Sequence, residues 1–183
     1  MFTLIRASIA LVTMIALSAL AADTNLDTTK SSLIATFKQE GVAVDAPFTK
    51  FTGRIFYDPA NISAASAELA VETGSLDMGD EAYNAEVRKK SWFDSGGYPK
   101  ATFTSTAIKP TDASHFIATG ALSIKGKSIT LTVPVTVTKA ANVATFDGSL
   151  VISRATFGIG DPAWNDVLDD KVSVRFHLVN ATH

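Results

Sequence analysis

The stretch 128–138, SITLTVPVTVT, places an apolar side chain at every second position. Serine, threonine and one proline occupy the positions between them. This period of two is typical of a β-strand with one face in a core and the other in water. The stretch therefore predicts a long strand in a sheet with one apolar face. Its apolar residues are Ile129, Leu131, Val133, Val135 and Val137.

The same alternation recurs on both sides of this stretch, which predicts eight strands in all. The short connections 125–127 and 140–142 favour antiparallel hairpins between neighbouring strands. The predicted strands are Leu33–Gln39, Phe48–Tyr57, Ser66–Thr73, Ala101–Ile108, Phe116–Ile124, Ser128–Thr138, Ala144–Ile152 and Val172–Leu178.

One segment between the third and fourth predicted strands has the features of a short helix. Asp80–Lys90 carries acidic residues in its first turn and basic residues in its last, which suits the helix dipole. Gly158–Asp170 is rich in glycine and aspartate and lacks alternation, so it predicts a long loop before the final strand.

Eight antiparallel strands can close into a barrel or stack as a sandwich. We favour the barrel because closure removes the unpaired edges of long strands that carry few protecting prolines or charges. Gly53, Gly120 and Gly148 lie at positions whose side chains face inward. They either leave room for a cavity or mark bends where strands coil, and both interpretations stay open.

The composition excludes several functions. Sixteen basic and eighteen acidic residues give a net charge of −2, without the basic surface that nucleic-acid binding needs. The absence of cysteine excludes disulfides, thiolate metal sites and cysteine nucleophiles.

The N-terminal residues 1–22 have the features of a secretory signal peptide. Arg6 precedes an apolar run from Ile9 to Leu20, and small residues follow it. We expect cleavage after Ala21 or Ala22, and a single domain over residues 23–183. Export without cysteine suits a bacterial periplasm.

No pattern for catalysis or metal binding is found, so we predict neither a catalytic residue nor a metal site. His115, His177 and His183 show no ligand spacing, and the chain has no nucleophile or phosphate-binding motif. Four aspartates lie close together in the predicted loop, and whether they bind an ion stays open. They are Asp161, Asp166, Asp169 and Asp170.

The inward-facing positions predict the wall of a ligand cavity, although any one of these residues taken singly could instead belong to a packed core, which an apolar stripe more often indicates. The predicted wall residues are Phe51, Ile55, Leu69, Val71, Phe103, Phe116, Leu122, Ile124, Leu131, Val133, Phe146, Leu150, Val174 and Phe176.

Four further residues are candidates for the mouth of this cavity. Trp92, Phe93 and Trp164 lie outside the strands, where large aromatic residues form a lid or pack a corner. Arg154 follows an apolar strand and could meet an anionic head group or pair with Asp161 or Asp166.

Several stretches together resemble the YceI-like family of exported lipid-binding proteins. They occur in the family's order and roughly its spacing over most of residues 23–183. The stretches are FTKFTG at 48–53, WFD at 92–94, YPKATFTS at 98–105, GALSIKG at 120–126 and SRATFGIG at 153–160.

The resemblance implies an all-β, eight-stranded, antiparallel, lipocalin-like barrel that binds a polyisoprenoid or a similar amphiphile. Many members carry Arg-Asp-x-His-Leu where this chain has Tyr83–Val87. The chain is more similar to a branch with Trp-Phe-Asp and a later Gly-x-Gly and Trp, here 158–160 and Trp164. That branch is associated with cytochrome b561-type membrane proteins, which implies a quinone as ligand and such a protein as partner.

Two other functions are alternatives to a periplasmic lipid carrier. An integral outer-membrane barrel shares the signal peptide and strand pattern but would turn its apolar faces outward. An enzyme acting on a lipid would depend on a residue such as Asp94 or His177. The sequence leaves the oligomeric state open, a homodimer included.

Overall fold

The computed structural model describes residues 26–141 and 143–181, which form one antiparallel sheet of nine strands. The predicted signal peptide, residues 1–22, lies outside this part of the chain. The strands are β1 (Ser32–Gln39), β2 (Val42–Pro47), β3 (Phe51–Phe56), β4 (Ser66–Glu72), β5 (Lys100–Pro110), β6 (His115–Ile124), β7 (Lys127–Ala140), β8 (Val143–Ser153) and β9 (Lys171–Ala181).

The sheet runs in the order β2-β1-β9-β8-β7-β6-β5-β4-β3, and all its pairs are antiparallel. Period-two alternation produces its two faces. In β7, Val133 and Val137 are buried, whereas Thr132 and Thr138 are exposed. The apolar residues thus face the interior, the reverse of the arrangement required by the membrane alternative.

One helix, α1 (Glu81–Val87), packs beside the sheet. Asp80 caps it, because its carboxylate accepts hydrogen bonds from the N–H groups of Ala82 and Tyr83. Val87 packs with Ala35 and Ala46 of β1 and β2. Within residues 26–141 and 143–181, no helix has both the length and the apolarity to span a bilayer.

The predicted fold class is confirmed, but the predicted strand count is wrong. The structure has an additional strand, β2, so the helix lies between the fourth and fifth strands. Strand β2 has only six residues, and its first residue, Val42, is 66% exposed while Ala46 is fully buried. So short a strand, with a small residue at its buried position, gives little alternation to detect.

The end strands of the sheet, β2 and β3, are joined by only three residues, so the ends of the sheet meet. Two contacts connect β3, at Gly53 and Ile55, to β9 and to the segment beside it. The N–H of Leu26, which itself bridges Asn180, donates to the carbonyl of Gly53 over 3.2 Å. The side-chain amide of Asn180, 1% exposed, donates to the carbonyl of Ile55 over 2.9 Å.

Apolar clusters fill both ends of the barrel. At one end, which we call the aromatic end, Tyr57 makes edge-to-face contacts with Phe116 and Phe146 at 5.8 and 5.5 Å between ring centroids. At the other end lies the cap, formed by the buried side chains of Trp92, Ile124, Phe157 and Ile159.

Candidate functional site

The barrel encloses an elongated cavity of about 190 Å³ between the aromatic end and the cap. On the same measure a single water needs roughly 10–15 Å³. Thirty residues line the cavity; they come from eight of the nine strands, all but β2, and from the connecting segments. The lumen is therefore hollow and is not filled by side chains.

The wall of the cavity is almost entirely apolar. Of the described residues that line it, only Tyr57 and Thr102 carry a polar side-chain group, and none carries a charge. Such a surface offers a ligand dispersion contacts and shelter from water, with few hydrogen bonds. It suits a long apolar chain.

Fourteen of the eighteen predicted site residues lie on this wall. For thirteen of them this position agrees with the inward parity assigned from the sequence, and the fourteenth, Phe93, was predicted at the mouth; their role in binding stays a prediction. They are Phe51, Ile55, Leu69, Val71, Phe93, Phe103, Phe116, Leu122, Ile124, Val133, Phe146, Leu150, Val174 and Phe176.

Sixteen other wall residues were not predicted from the sequence. Several have the same parity as the predicted ones, and this signal could have found them. Others depend on local features such as a bulge at Thr106, which shifts the pairing of β5 and β6 between Ser105 and Ala107 and turns Ile108 inward. The missed residues are Leu33, Ala35, Phe48, Phe56, Tyr57, Ala65, Ala67, Ala101, Thr102, Ile108, Ala118, Val135, Val137, Ile152, Val172 and Leu178.

The inward-facing glycines do not enlarge the cavity. A Cβ on Gly120 would lie 2.6 Å from the ring of Phe103, and one on Gly53 would lie 2.6 Å from the side chain of Leu69. These glycines let a neighbouring side chain lie against the backbone of the strand. The space that each glycine vacates is occupied by that side chain.

Arg154 does not line the cavity, and its role at a head-group site stays a prediction. It is 8% exposed, and its guanidinium donates hydrogen bonds to the carbonyls of Asp169, Ile159 and Leu168 at 3.0–3.2 Å. It also donates to Oδ1 of Asn165 at 2.9 Å. The predicted pairing with Asp161 or Asp166 is therefore replaced by hydrogen bonds that fix the loop before β9.

Trp92 and Trp164 also lie off the cavity wall, because they pack against each other in the cap. Their ring centroids are 6.3 Å apart at an interplanar angle of 63°. Nζ of Lys125 ties the cap together by donating to the carbonyls of Lys90, at 2.8 Å, and Gly158, at 2.6 Å. Of the two roles predicted for these tryptophans, packing describes their position.

Leu131 is the fourth predicted residue that does not line the cavity. It has the same parity as Val133 but is only half-buried and lies outside the apolar clusters of the described residues. At Leu131, strand β7 is not paired with β8, because the pairing of the two strands begins only at Val135.

Three of the polar residues considered for ion binding or catalysis have structural partners. Asp161 accepts from the N–H of Ala163 at 2.9 Å. Asp170 accepts from the N–H of Ala155 and the hydroxyl of Ser153, which hold the pKa of its carboxyl below its usual range. His177 faces away from the cavity and contacts Oδ1 of Asp147 at 2.7 Å.

This chain is similar in sequence and in fold to several known proteins. A UPF0312 protein of Vibrio cholerae is 32% identical over 129 residues, 69% of this chain and 68% of that protein. The crystal structure of BcnA from Burkholderia cenocepacia is 42% identical with a TM-score of 0.81, covering 84% of this chain and 98% of BcnA.

A more distant structure shares the fold alone. It is a polyisoprenoid binding domain from Saccharophagus degradans implicated in plant cell wall breakdown, 19% identical with a TM-score of 0.70. The match covers 88% of this chain and 99% of that domain. The model of the YceI-like domain matches residues 25–180. The chain therefore belongs to the YceI-like domain family.

Proposed function

We propose that this protein is a non-catalytic binding protein that encloses the chain of a polyisoprenoid or isoprenoid quinone. The observation that carries the proposal is the cavity wall, in which Tyr57 and Thr102 are the only polar residues among the described residues that line it. A tail without hydrogen-bonding groups matches this wall. The polyisoprenoid-binding domain that shares the fold supports the same ligand class.

The free energy of burial is sufficient for such a ligand. Burying a five-carbon prenyl unit contributes about 3–4 kcal/mol, so a few units overcome the entropy lost on binding. The cavity, at 190 Å³, is smaller than the roughly 300–1,000 Å³ of drug-sized ligand sites. Several prenyl units therefore require the leucine and phenylalanine side chains of the wall to repack.

The head group of the ligand lies outside the wall in this proposal, because the wall offers it no charged partner. The protein then recognises the ligand by its apolar tail. Binding without catalysis suits a carrier that moves a lipid between membranes through the periplasm, with a cytochrome b561-type membrane protein as partner and a quinone as cargo. Osmotic-shock release of the protein from its host tests this location.

Native mass spectrometry of protein purified from its own host tests the ligand. We expect an added mass that extraction into organic solvent identifies as a polyisoprenoid or a prenylated quinone. Recovery of unliganded protein alone, or of a polar metabolite in the cavity, would contradict the proposal. Mixing the purified protein with geranylgeraniol then checks that the cavity takes a prenyl chain directly.

A further inference from the structure

The ladder of hydrogen bonds between β7 and β8 stops half-way along the barrel. Strand β7 pairs with β6 from Lys127 to Thr136, and β8 pairs with β9 from Val143 to Ser153. Between β7 and β8, however, the pairs run only from Val135–Gly148 to Ala140–Val143. We call the unpaired region, 127–134 facing 149–153, the lateral gap.

Pro134 accounts for the position at which the ladder ends. It is the first residue of β7 without a partner in β8, and proline has no N–H to donate to a ladder. Its carbonyl lies 2.6 Å from where a Cβ on Gly148 would be. The strands therefore touch at Gly148 and separate beyond it.

The lateral gap borders the cavity. Val133 on one side, and Leu150 and Ile152 on the other, line the cavity wall. On the outer surface Thr132 is exposed and Val151 is 63% exposed. Apolar side chains thus extend from the lumen to the surface at this place.

Hydrogen bonds limit the lateral gap at both of its ends. One limit is the pair Val135–Gly148, and the other is the hydrogen bond from Nζ of Lys125 to the carbonyl of Gly158 at 2.6 Å. Between these limits, the described residues include no pair of the β7–β8 ladder.

The two ends of the barrel are closed by packed side chains. The aromatic end is filled by Tyr57, Phe116 and Phe146, and the cap is filled by two buried aromatic rings and tied by Lys125. The neighbouring strand pairs are bonded along most of their length. Widening the lateral gap breaks no hydrogen bond of the β7–β8 ladder, whereas opening either end withdraws buried aromatic side chains.

We propose that the lateral gap is the portal through which the apolar tail of the ligand enters and leaves. The inference rests on the proposed function, because a portal needs a cavity ligand. Both the capture and the release of the tail then depend on a transient separation of β7 from β8 beyond Pro134. The half-buried Leu131, on the edge of the gap, lies on this route.

The absence of cysteine from the chain allows a direct test. In the double variant Thr132→Cys/Val151→Cys, a short bis-maleimide links the two sides of the gap. The probe is geranylgeraniol labelled with nitrobenzoxadiazole, whose fluorescence rises in an apolar site. We expect the link to slow capture and release at least tenfold, with Kd changed less than threefold, because both rates pass through the same opening.

The matched control is the linked variant Thr138→Cys/Thr145→Cys, which joins the same two strands where they are already paired. We expect it to exchange the probe at the rate of the unlinked protein. A second double variant, Thr130→Cys/Val151→Cys, also links the two sides of the lateral gap. It is expected to slow exchange in the same way and is used if Thr132→Cys/Val151→Cys does not fold.

The outcomes separate this inference from the proposed function. Unchanged exchange after linking the lateral gap would overturn the portal and leave the binding function intact. Equal slowing in the Thr138–Thr145 control would also overturn it, because strand separation in general would then limit exchange. Failure of the wild-type protein to bind the probe would overturn both proposals.

Discussion

The phenyl ring of Phe176 lies directly over Gly148, its paired residue across β8 and β9, so that a Cβ on Gly148 would overlap the ring. The same Cβ would lie 2.6 Å from the carbonyl of Pro134. Both the wall of the cavity and the end of the β7–β8 ladder thus depend on glycine at this position.

We predict that Gly148→Ala destabilises the protein by about 2–3 kcal/mol, because the added methyl has neither a free side nor a flexible neighbour to displace. Urea denaturation followed by circular dichroism measures the loss. Gly96→Ala is the matched control, since nothing lies within 4 Å of a Cβ at Gly96. Equal midpoints for the two variants would show that the ring of Phe176 moves aside without cost.

Most of the fold could be predicted from the alternation in 128–138 and its counterparts, because the period of two is a direct consequence of strand geometry. The alternation assigned the inward face correctly for thirteen wall residues. It failed where the strand departs from regular pairing, at the bulge near Thr106 and beyond Pro134. A proline in so regular a strand was itself a signal of an interrupted ladder.

The positions of Trp92, Arg154 and Trp164 could not be predicted in the same way. They lie in or beside loops, where no period relates the sequence to the direction of a side chain. Arg154 is paired mainly with backbone carbonyls, and every residue has one, so its partners leave no mark in the sequence.

We predict that Arg154→Lys destabilises the protein by about 2–4 kcal/mol and exposes the loop 158–170 to proteases. An ammonium group cannot reach the four separate acceptors that the guanidinium serves, and hydrogen bonds to a buried charge are individually strong. Thermal melting and limited proteolysis with mass spectrometry measure the two effects.

Arg175→Lys serves as the control for Arg154→Lys, because Arg175 pairs with Asp45 on the exposed surface. We expect this variant to melt close to the wild type. A specific loss of lipid binding by Arg154→Lys, with unchanged stability and proteolysis, would instead support a head-group role for Arg154.

We predict a pH dependence that arises from Asp112, in the hairpin between β5 and β6. Its carboxylate accepts hydrogen bonds from the N–H groups of Ser114 and His115 and contacts the imidazole of His115. These interactions lower the pKa of Asp112 to about 2. Because the folded pKa lies below the unfolded value of about 3.9, the stabilisation is complete above pH 4.

This stabilisation is lost as the pH falls from about 4 toward 2, where the folded protein also takes up the proton. Asp112→Asn cannot titrate, so the difference in melting temperature between wild type and variant shrinks over this range. Melting curves at pH 5, 4, 3 and 2 measure it. If the melting temperatures of the wild type and of Asp112→Asn change in parallel with pH, Asp112 does not contribute to the pH dependence.

We predict that Ala118→Phe lowers lipid binding by at least tenfold. Ala118 is a buried wall residue, so a phenyl group there fills part of the cavity that the lipid tail would occupy. Overpacking costs about 1–3 kcal/mol, which a stable fold tolerates. The measurement is the fraction of protein that retains lipid in native mass spectra, together with its circular dichroism.

Ala121→Phe is the matched substitution for Ala118→Phe, since it adds the same group to the outward-facing side of β6 and lies off the cavity wall. Binding should stay within twofold of wild type in this variant. If both variants keep their lipid, the tail does not occupy the barrel at the level of Ala118. If both variants lose their lipid while still folded, any large substitution in β6 disturbs binding, whether the side chain faces inward or outward. Loss from Ala118→Phe alone locates the tail inside the lumen.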